Sequence, residues 1–568
     1  VPNKARLGGG SPAKSILALY RRGQWFGCFF VPKLNAFFRR HPHVLHWAAY
    51  VVTVALFLWM TAGFYIPGKG FTYLVRFGDK PVVQYLSELR ATNYYAEKDS
   101  PGYDAQYYAQ IAMHPRLGDP ALGRAVDGLS YRARRILFCW TAWALAGGNP
   151  ARALEIYAVQ NIACWVLLAA LMLRWFPPVN WGNYTRWAAT LFCSGLCLSV
   201  SSSLPDGPSL LLIATGVALA EMAWPWLAAV VLGVAGLGRE TNILGAAALA
   251  RLRENTLRGW VLMMIRGLVV VLPLLVWVQC LWHWLGTGDI AGTRNFDLPL
   301  AGYLGKWRET RAQFAIGNFG TVAKGSLAML VALTTQALFF VLRPRWTETW
   351  WRVGAAYLVL MVFLGTAVWE GYPGAAGRVL LPMTLAFNVL VPRGPRWWLV
   401  LLLGNLTVFD APTLLMVPAP EGYRLEGSRA LRMAERSRQN VEMAFDAQWF
   451  GPEHSYFAYW RWNRGPADII VRNPHSFSIL ADVSFGLRSL DDRRVLLRAN
   501  GRILWAGMVG REVCGVVLSD VLLPPGDTVW KFETDHPAVK PKNGDVRMIA
   551  FSLHDLKIEL KAAAPAGK

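Results

Sequence analysis

The stretch Val44–Ile66, VLHWAAYVVTVALFLWMTAGFYI, decides the class of this protein. It holds no Asp, Glu, Lys or Arg, and as a helix rising about 1.5 Å per residue it is long enough to cross roughly 30 Å of hydrocarbon. Further apolar segments recur at about 136–147, 154–173, 187–203, 208–223, 226–238, 241–250, 260–285, 326–342, 352–369, 378–391 and 397–410. Several fall short of the ~20 residues that a full crossing needs, so some must merge, tilt or re-enter. Composition agrees: 54% of residues are hydrophobic and 17% charged, against about 25% charged in soluble domains. A disordered chain, a coiled coil and an ordinary cytosolic enzyme are excluded. The expectation is an α-helical polytopic membrane protein, its transmembrane part covering 44–420.

Outward from that span, charge sets orientation. The 568 residues include 58 Lys+Arg against 36 Asp+Glu, a formal charge of +22. Such an excess fits nucleic acid, anionic lipid or a phosphate-bearing substrate. The segment 1–43 carries Lys4, Arg6, Lys14, Arg21, Arg22, Lys33, Arg39 and Arg40 and no acid. From Ser15 to Phe38 basic residues alternate with apolar ones, as in a helix on an anionic leaflet or a solvated basic tail. No apolar core follows within reach, so this is not read as a signal peptide. The positive-inside rule expects this end in the cytoplasm and the polar stretch 67–135 on the opposite side.

Near residue 420 the composition changes, and from about Tyr456 the pattern is period-two alternation broken by turn signals. Strands are expected at Asp468–Val471, Phe477–Phe485, Val495–Arg498, Ile503–Met508, Val513–Leu518, Thr528–Phe532, Arg547–Phe551 and Lys557–Leu560, with hairpin turns at Asn500-Gly501 and Pro524-Pro525-Gly526-Asp527. Segment 421–568 therefore reads as an antiparallel β-sandwich, jelly-roll-like. Hydropathy gives about ten to twelve spans and leaves the parity open; the count is odd, about eleven, if this part lies opposite a cytoplasmic N-terminus. The Cys residues form no C-x-x-C pair, and neither a P-loop nor a Rossmann glycine motif nor H-E-x-x-H is present.

The first polar stretch contains GYDAQYYAQIA, residues 102–112. Asp104 at the head of an expected helix either caps it or acts as a base or cation ligand, with Tyr103, Gln106 and Tyr107 beside it. In YRARRILF, residues 131–138, Arg132, Arg134 and Arg135 stand on the side where positive charge is normally avoided. A phosphate contact explains that exception, since Arg grips phosphate in bidentate fashion. Charges at membrane depth are costly and default to functional candidates or mutual ion pairs. They occur as Asp206 in SSSLPDGPSLLL (201–212), Arg239 and Glu240 in GLGRETNIL (236–244), and Glu370 and Arg378 flanking the turn between two late spans. Trp460, Trp462 and Trp505 could stack on sugar, but core aromatics are the better reading.

These motifs, with GRVLLPMTLAFNVL (377–390), resemble in their order those of the GT-C superfamily of integral-membrane glycosyltransferases, distantly the PIG-V/PIG-M-type mannosyltransferases. The resemblance spans about 44–410. It implies a bacterial inner-membrane, multi-pass enzyme of cell-envelope polysaccharide biosynthesis, its catalytic loop and C-terminal sandwich periplasmic. It further implies a polyprenyl-phosphate-linked sugar donor and a glycan, lipid or protein acceptor, with Asp104 as catalytic base or metal ligand. The donor phosphate would meet Arg132, Arg134, Arg135, Arg239 and Arg378. Many relatives carry paired acids in this loop, whereas Asp104 stands alone, with Asp99 five residues earlier; a Mg or Mn ion, if used, would rest on Asp104. Membrane lipids are partners under this reading and nucleic acid is not. The rivals are a transporter or flippase for lipid-linked glycan, which predicts internal repeats, and a non-catalytic polysaccharide assembly protein.

Overall fold

The segment expected to span first folds as the helix Pro42–Ala62. Its outward apolar side chains have no protein to pack on: Val51 is 60% and Trp59 74% exposed. Such a surface is stable only against lipid. The structure, a computed structural model, describes residues 42–563 except 67–68, 98–99, 251–255, 287–292, 316, 318–319, 372–373, 417–422, 428–440, 455–457, 542–544 and 546. The stretch from Ser15 to Phe38, read as a surface helix or a solvated basic tail, and the rest of the basic segment up to residue 41 lie outside the described residues.

Among the described residues, His43–Ala62, Pro150–Arg174, Leu257–Leu285 and Thr321–Leu342 are long and apolar enough to cross a membrane. A fifth arises if Pro395–Leu403 and Leu406–Leu414, bent by 52°, count as one. The expected eleven is therefore not established by length, because the other apolar segments are short or broken. Segment 187–203 divides into helices Trp181–Leu191 and Ser194–Ser201. Segment 241–250 winds as a 3-10 helix, Glu240–Leu249. Segment 378–391 is a single turn, Ala376–Val379, followed by Leu381–Leu390. Pro382, in the first turn of that last helix, has no N–H to continue the ladder from the preceding turn.

These breaks bring loops together. Asp206–Glu221 and Pro225–Gly236 pack on each other and return the chain, so that Asp206 and Arg239 form an ion pair. Some polar groups deep in the helical core pair with one another or with backbone carbonyls. Asn388 and Asn405 exchange two amide hydrogen bonds of 2.9 Å. Arg186 donates to the carbonyls of Asn388, Val391 and Pro392.

The polar stretch 67–135 is no simple loop. Strands β1 (Phe77–Gly78) and β2 (Ala96–Glu97) pair in parallel. Short helices at Ser87–Ala91, Ala105–Met113, Leu122–Ala125 and Leu129–Arg132 surround them. Their shared core holds Val75, Phe77, Leu89, Tyr108, Ile111 and Leu122, and it continues into the apolar helices through Ile136, Tyr157 and Trp277.

The C-terminal part holds β3 (Arg424–Glu426), β4 (Glu442–Phe445), β5 (Glu453–His454), β6 (Tyr459–Trp462), β7 (Ala467–Asn473), β8 (Ile479–Ser489), β9 (Arg493–Ala499), β10 (Arg502–Val509), β11 (Cys514–Leu523), β12 (Gly526–Thr534) and β13 (Phe551–Ala563). They form two sheets, β10-β9-β12-β7-β4 and β11-β8-β13-β6-β5, with β3 parallel to β13. Inward residues of both, among them Ile469, Leu497 and Phe532 from one and Val483, Leu487 and Ile558 from the other, share one core. Asn500 and Gly501 take φ of 50° and 77° between β9 and β10, as a two-residue hairpin demands. The turn at Pro524-Pro525-Gly526-Asp527 does not close a hairpin: β11 pairs with β8, while β12 pairs with β7 and β9, so the chain crosses between sheets there. Of the expected strand Arg547–Phe551 only an isolated bridge at Ile549 and the first residue of β13 are seen. Trp462 is buried, and Trp460 and Trp505 pack partly buried against core clusters.

Candidate functional site

A cavity of about 540 Å³ lies where the polar 67–135 stretch meets the ends of the apolar helices. Eight of the ionisable residues singled out in the sequence line it: Asp104, Arg132, Arg134, Arg135, Asp206, Arg239, Glu240 and Arg378. Its remaining wall includes Tyr108, Tyr131, Asn295, Phe296, Leu364 and Val379. Phe296 and Leu364 pair as an isolated bridge.

Asp104 stands at the N-terminus of Ala105–Met113 but its side chain caps nothing. Instead Oδ1 accepts a hydrogen bond of 3.1 Å from Arg132 Nη2; Oδ2 accepts none among the described residues. Arg132 is itself fixed by Asp127, which accepts from Nε at 2.9 Å and Nη2 at 3.1 Å. Its guanidinium lies 5.0 Å from the ring centre of Tyr107. Burial opposes ionisation of Asp104, yet Arg132 and Arg378, with Arg135 further off, outweigh it and hold the carboxyl below its usual range.

Arg135 donates to Glu240 Oε2 at 2.9 Å, to the Tyr108 hydroxyl at 2.8 Å and to that of Tyr131 at 3.0 Å. Asn295 donates to the same Tyr131 hydroxyl at 3.0 Å. Arg134 lies over the Tyr131 ring and has no carboxylate partner among the described residues. Asp206, its side chain 1% exposed, accepts from Arg378 Nη1 at 3.1 Å and pairs on its other oxygen with Arg239. Of the two readings left open for Arg239 and Glu240, the mutual ion pair is not formed. Each residue instead finds a partner far away in sequence, because neighbouring side chains at a helix start diverge.

One glycine seats Arg378. A Cβ on Gly195 would come within 2.4 Å of the Gly377 carbonyl, so the Ser194–Ser201 helix and the Ala376–Val379 turn meet backbone to backbone. That contact places Arg378 beside Asp206.

The other predicted residues fall outside the cavity wall. Tyr103 reaches it indirectly, its hydroxyl accepting from Arg378 Nη2 at 3.4 Å. Tyr107 lies beneath Arg132. Gln106 is buried and structural: Oε1 accepts from the Tyr85 hydroxyl and the Gly78 N–H, and Nε2 donates to Pro101. Glu370 is exposed and pairs with Arg294 at 2.5 Å. Asp127, Tyr108, Tyr131 and Asn295 were missed. Tyr108 stands one helical turn from Asp104 on the same face, a spacing visible in sequence; nothing local marks Asn295.

The surroundings of Asp104 do not fit a Mg or Mn ion. Its carboxylate faces guanidinium groups, the other two cavity carboxylates are each engaged by arginine, and Asp104 belongs to no cluster of metal-ligating groups among the described residues. Hard cations call for several oxygen donors.

No family model matches the chain, and no curated protein does. Among solved structures the chain is similar to the arabinosyltransferase EmbB from Mycobacterium smegmatis, at 11% identity over 90% of this chain and 64% of that one, with a TM-score of 0.34. The chain thus spans less than two thirds of that protein's length.

Proposed function

We propose that this protein is a membrane glycosyltransferase that moves a sugar from a polyprenyl-phosphate donor to a periplasmic glycan or lipid acceptor. One observation carries the reading: three carboxylates and five arginines, drawn from five separate stretches of chain, converge on one cavity at the ends of apolar helices. A lipid-linked sugar phosphate keeps its tail in the bilayer and its head at such a place. The GT-C-like order of motifs agrees with it.

Five guanidinium groups against three carboxylates line the wall, and Asp127 behind it neutralises Arg132, which leaves an excess of one positive charge. A polyprenyl-phosphate sugar is a phosphodiester with one negative charge, and the departing polyprenyl phosphate carries two. In this reading Arg134, which has no carboxylate partner among the described residues, meets the charge that develops on the phosphate as the bond breaks. In the proposed step the acceptor hydroxyl donates a hydrogen bond to Asp104 Oδ2 and attacks the anomeric carbon. As the new C–O bond forms, the bond from that carbon to the phosphate oxygen breaks and its electron pair leaves with the phosphate. The hydroxyl acidifies and its proton passes to Asp104. A carboxylate held below its usual range is a weak base, suited to taking the proton late. Arg134, Arg239 and Arg378 stabilise the leaving phosphate, and Arg132 and Arg135 hold the carboxylate and the tyrosine wall in place. No step is routed through a metal.

The test is in vitro transfer from synthetic polyprenyl-phosphate sugars. Asp104→Asn should lose about 10²- to 10⁴-fold in kcat while binding donor as before. Transfer by the variant at the wild-type rate with every active donor would sink the role of Asp104. A wild-type protein that moves intact lipid-linked glycan across a bilayer, and transfers no sugar, would favour the transporter.

A further inference from the structure

A second cluster lies at the other end of the helix that begins beside Asp104. His114 closes the last turn of Ala105–Met113, its backbone N–H donating to the carbonyls of Gln110 and Ile111 at 3.3 and 3.1 Å. Its ring Nε2 stands 3.5 Å from Glu88 Oε1, is shielded from solvent and makes no hydrogen bond among the described residues. Asp119 completes the group: one ligand atom from each of Glu88, His114 and Asp119 lies within 4.8 Å of the others.

The three come from three pieces of local structure, and each is held by its other side. Glu88, in the short helix Ser87–Ala91, accepts the Ser87 hydroxyl on Oε2 at 2.9 Å, which leaves Oε1 toward His114. Asp119 accepts the Ala121 N–H on Oδ1 at 2.8 Å, which leaves Oδ2.

We propose that Glu88, His114 and Asp119 bind a divalent transition-metal ion of the zinc class, with water completing its coordination. An imidazole with two carboxylates is a donor set for such ions, whereas Ca²⁺ and Mg²⁺ favour oxygen alone. Ligand bonds of about 2.0–2.2 Å require the three side chains to draw together by roughly 1 Å. His114 and Glu88, 27% and 44% exposed, are free to do so. The site is about 15 Å along the helix from Asp104 and independent of the arginine cavity. Its ion would tie the Ser87–Ala91 helix, the end of Ala105–Met113 and the following turn into one unit, bracing the helix that begins beside Asp104.

The test uses the full-length, untagged protein in detergent, stripped by a chelator and titrated with Zn²⁺ alone by calorimetry, with thermal unfolding followed in parallel. One ion should bind per chain and raise Tm, and EDTA should reverse the rise. Glu88→Gln and His114→Gln should each weaken binding by at least roughly tenfold, while Asp104→Asn binds Zn²⁺ as wild type does. Asp119→Asn, an isosteric change in a turn, gives an independent reading if His114→Gln does not fold. The absence of saturable one-to-one binding overturns the proposal, as does wild-type affinity in Glu88→Gln and Asp119→Asn together.

Discussion

Asp127 is not itself a lining residue of the cavity and does not bond Asp104, yet it fixes the Arg132 guanidinium that does both. It is a positioning residue. Asp127→Asn should weaken its grip on Arg132 and lower kcat about tenfold, the loss of one interaction of roughly 1.4 kcal/mol. The pH profile separates this from a merely structural defect. Arg132 and Arg378 hold the Asp104 carboxyl low against the opposing effect of burial. Activity that needs the carboxylate is therefore present at neutral pH and lost as pH falls through that depressed value. In Arg132→Gln the carboxyl rises, so the acid limb of kcat against pH should move to higher pH; an unmoved limb would remove Arg132 from this role. The charged cavity residues were legible because charge at membrane depth has few uses. Asp127 was not, since an acid in a polar stretch is ordinary until its partner is known.

Elements were legible where they were long. The apolar runs at about 260–285 and 326–342 needed no tertiary help, and the helices Leu257–Leu285 and Thr321–Leu342 formed over them. Breaks were harder to read: nothing in the apolar residues of 241–250 separates an α-helix from the 3-10 winding observed. Strands β3 to β6 escaped notice because they are short and carry little alternation. A pair of glycines tests how elements seat the site. Gly195→Ala, facing the Gly377 carbonyl, should force the Arg378 turn away, costing about 1–3 kcal/mol and transfer activity with it. Gly267→Ala, inside Leu257–Leu285 with nothing within 4 Å of the new methyl, should stabilise by roughly 0.5–1 kcal/mol. Thermal unfolding of both in detergent checks the contrast; equal effects would refute the backbone contact at Gly195.

For the whole molecule, the +22 charge divides by place. Part of it belongs to the N-terminal segment, and part is gathered at one cavity where carboxylates offset some of it but not all. The C-terminal sheets have a core of their own. Trp449, fully buried with its ring edge-on to Phe532 of β12 and Phe551 of β13, joins the two sheets. Trp449→Ala should cost about 3–5 kcal/mol there, seen as proteolysis within 441–563 at a lower temperature than in wild type; unchanged resistance would show that the sheets do not depend on it. The carboxylate shared by Arg239 and Arg378 also bears on how the chain is made. Asp206 is followed by 172 residues before Arg378 exists, a delay of roughly ten to thirty seconds at about 5–20 residues per second. Once residue 239 has been made, and until residue 378 follows, the growing chain holds Asp206 with Arg239 as its only cation of the pair. The cavity is completed only when the last helices arrive, so a nascent chain stopped short of residue 378 carries every motif of the first polar stretch and no finished site.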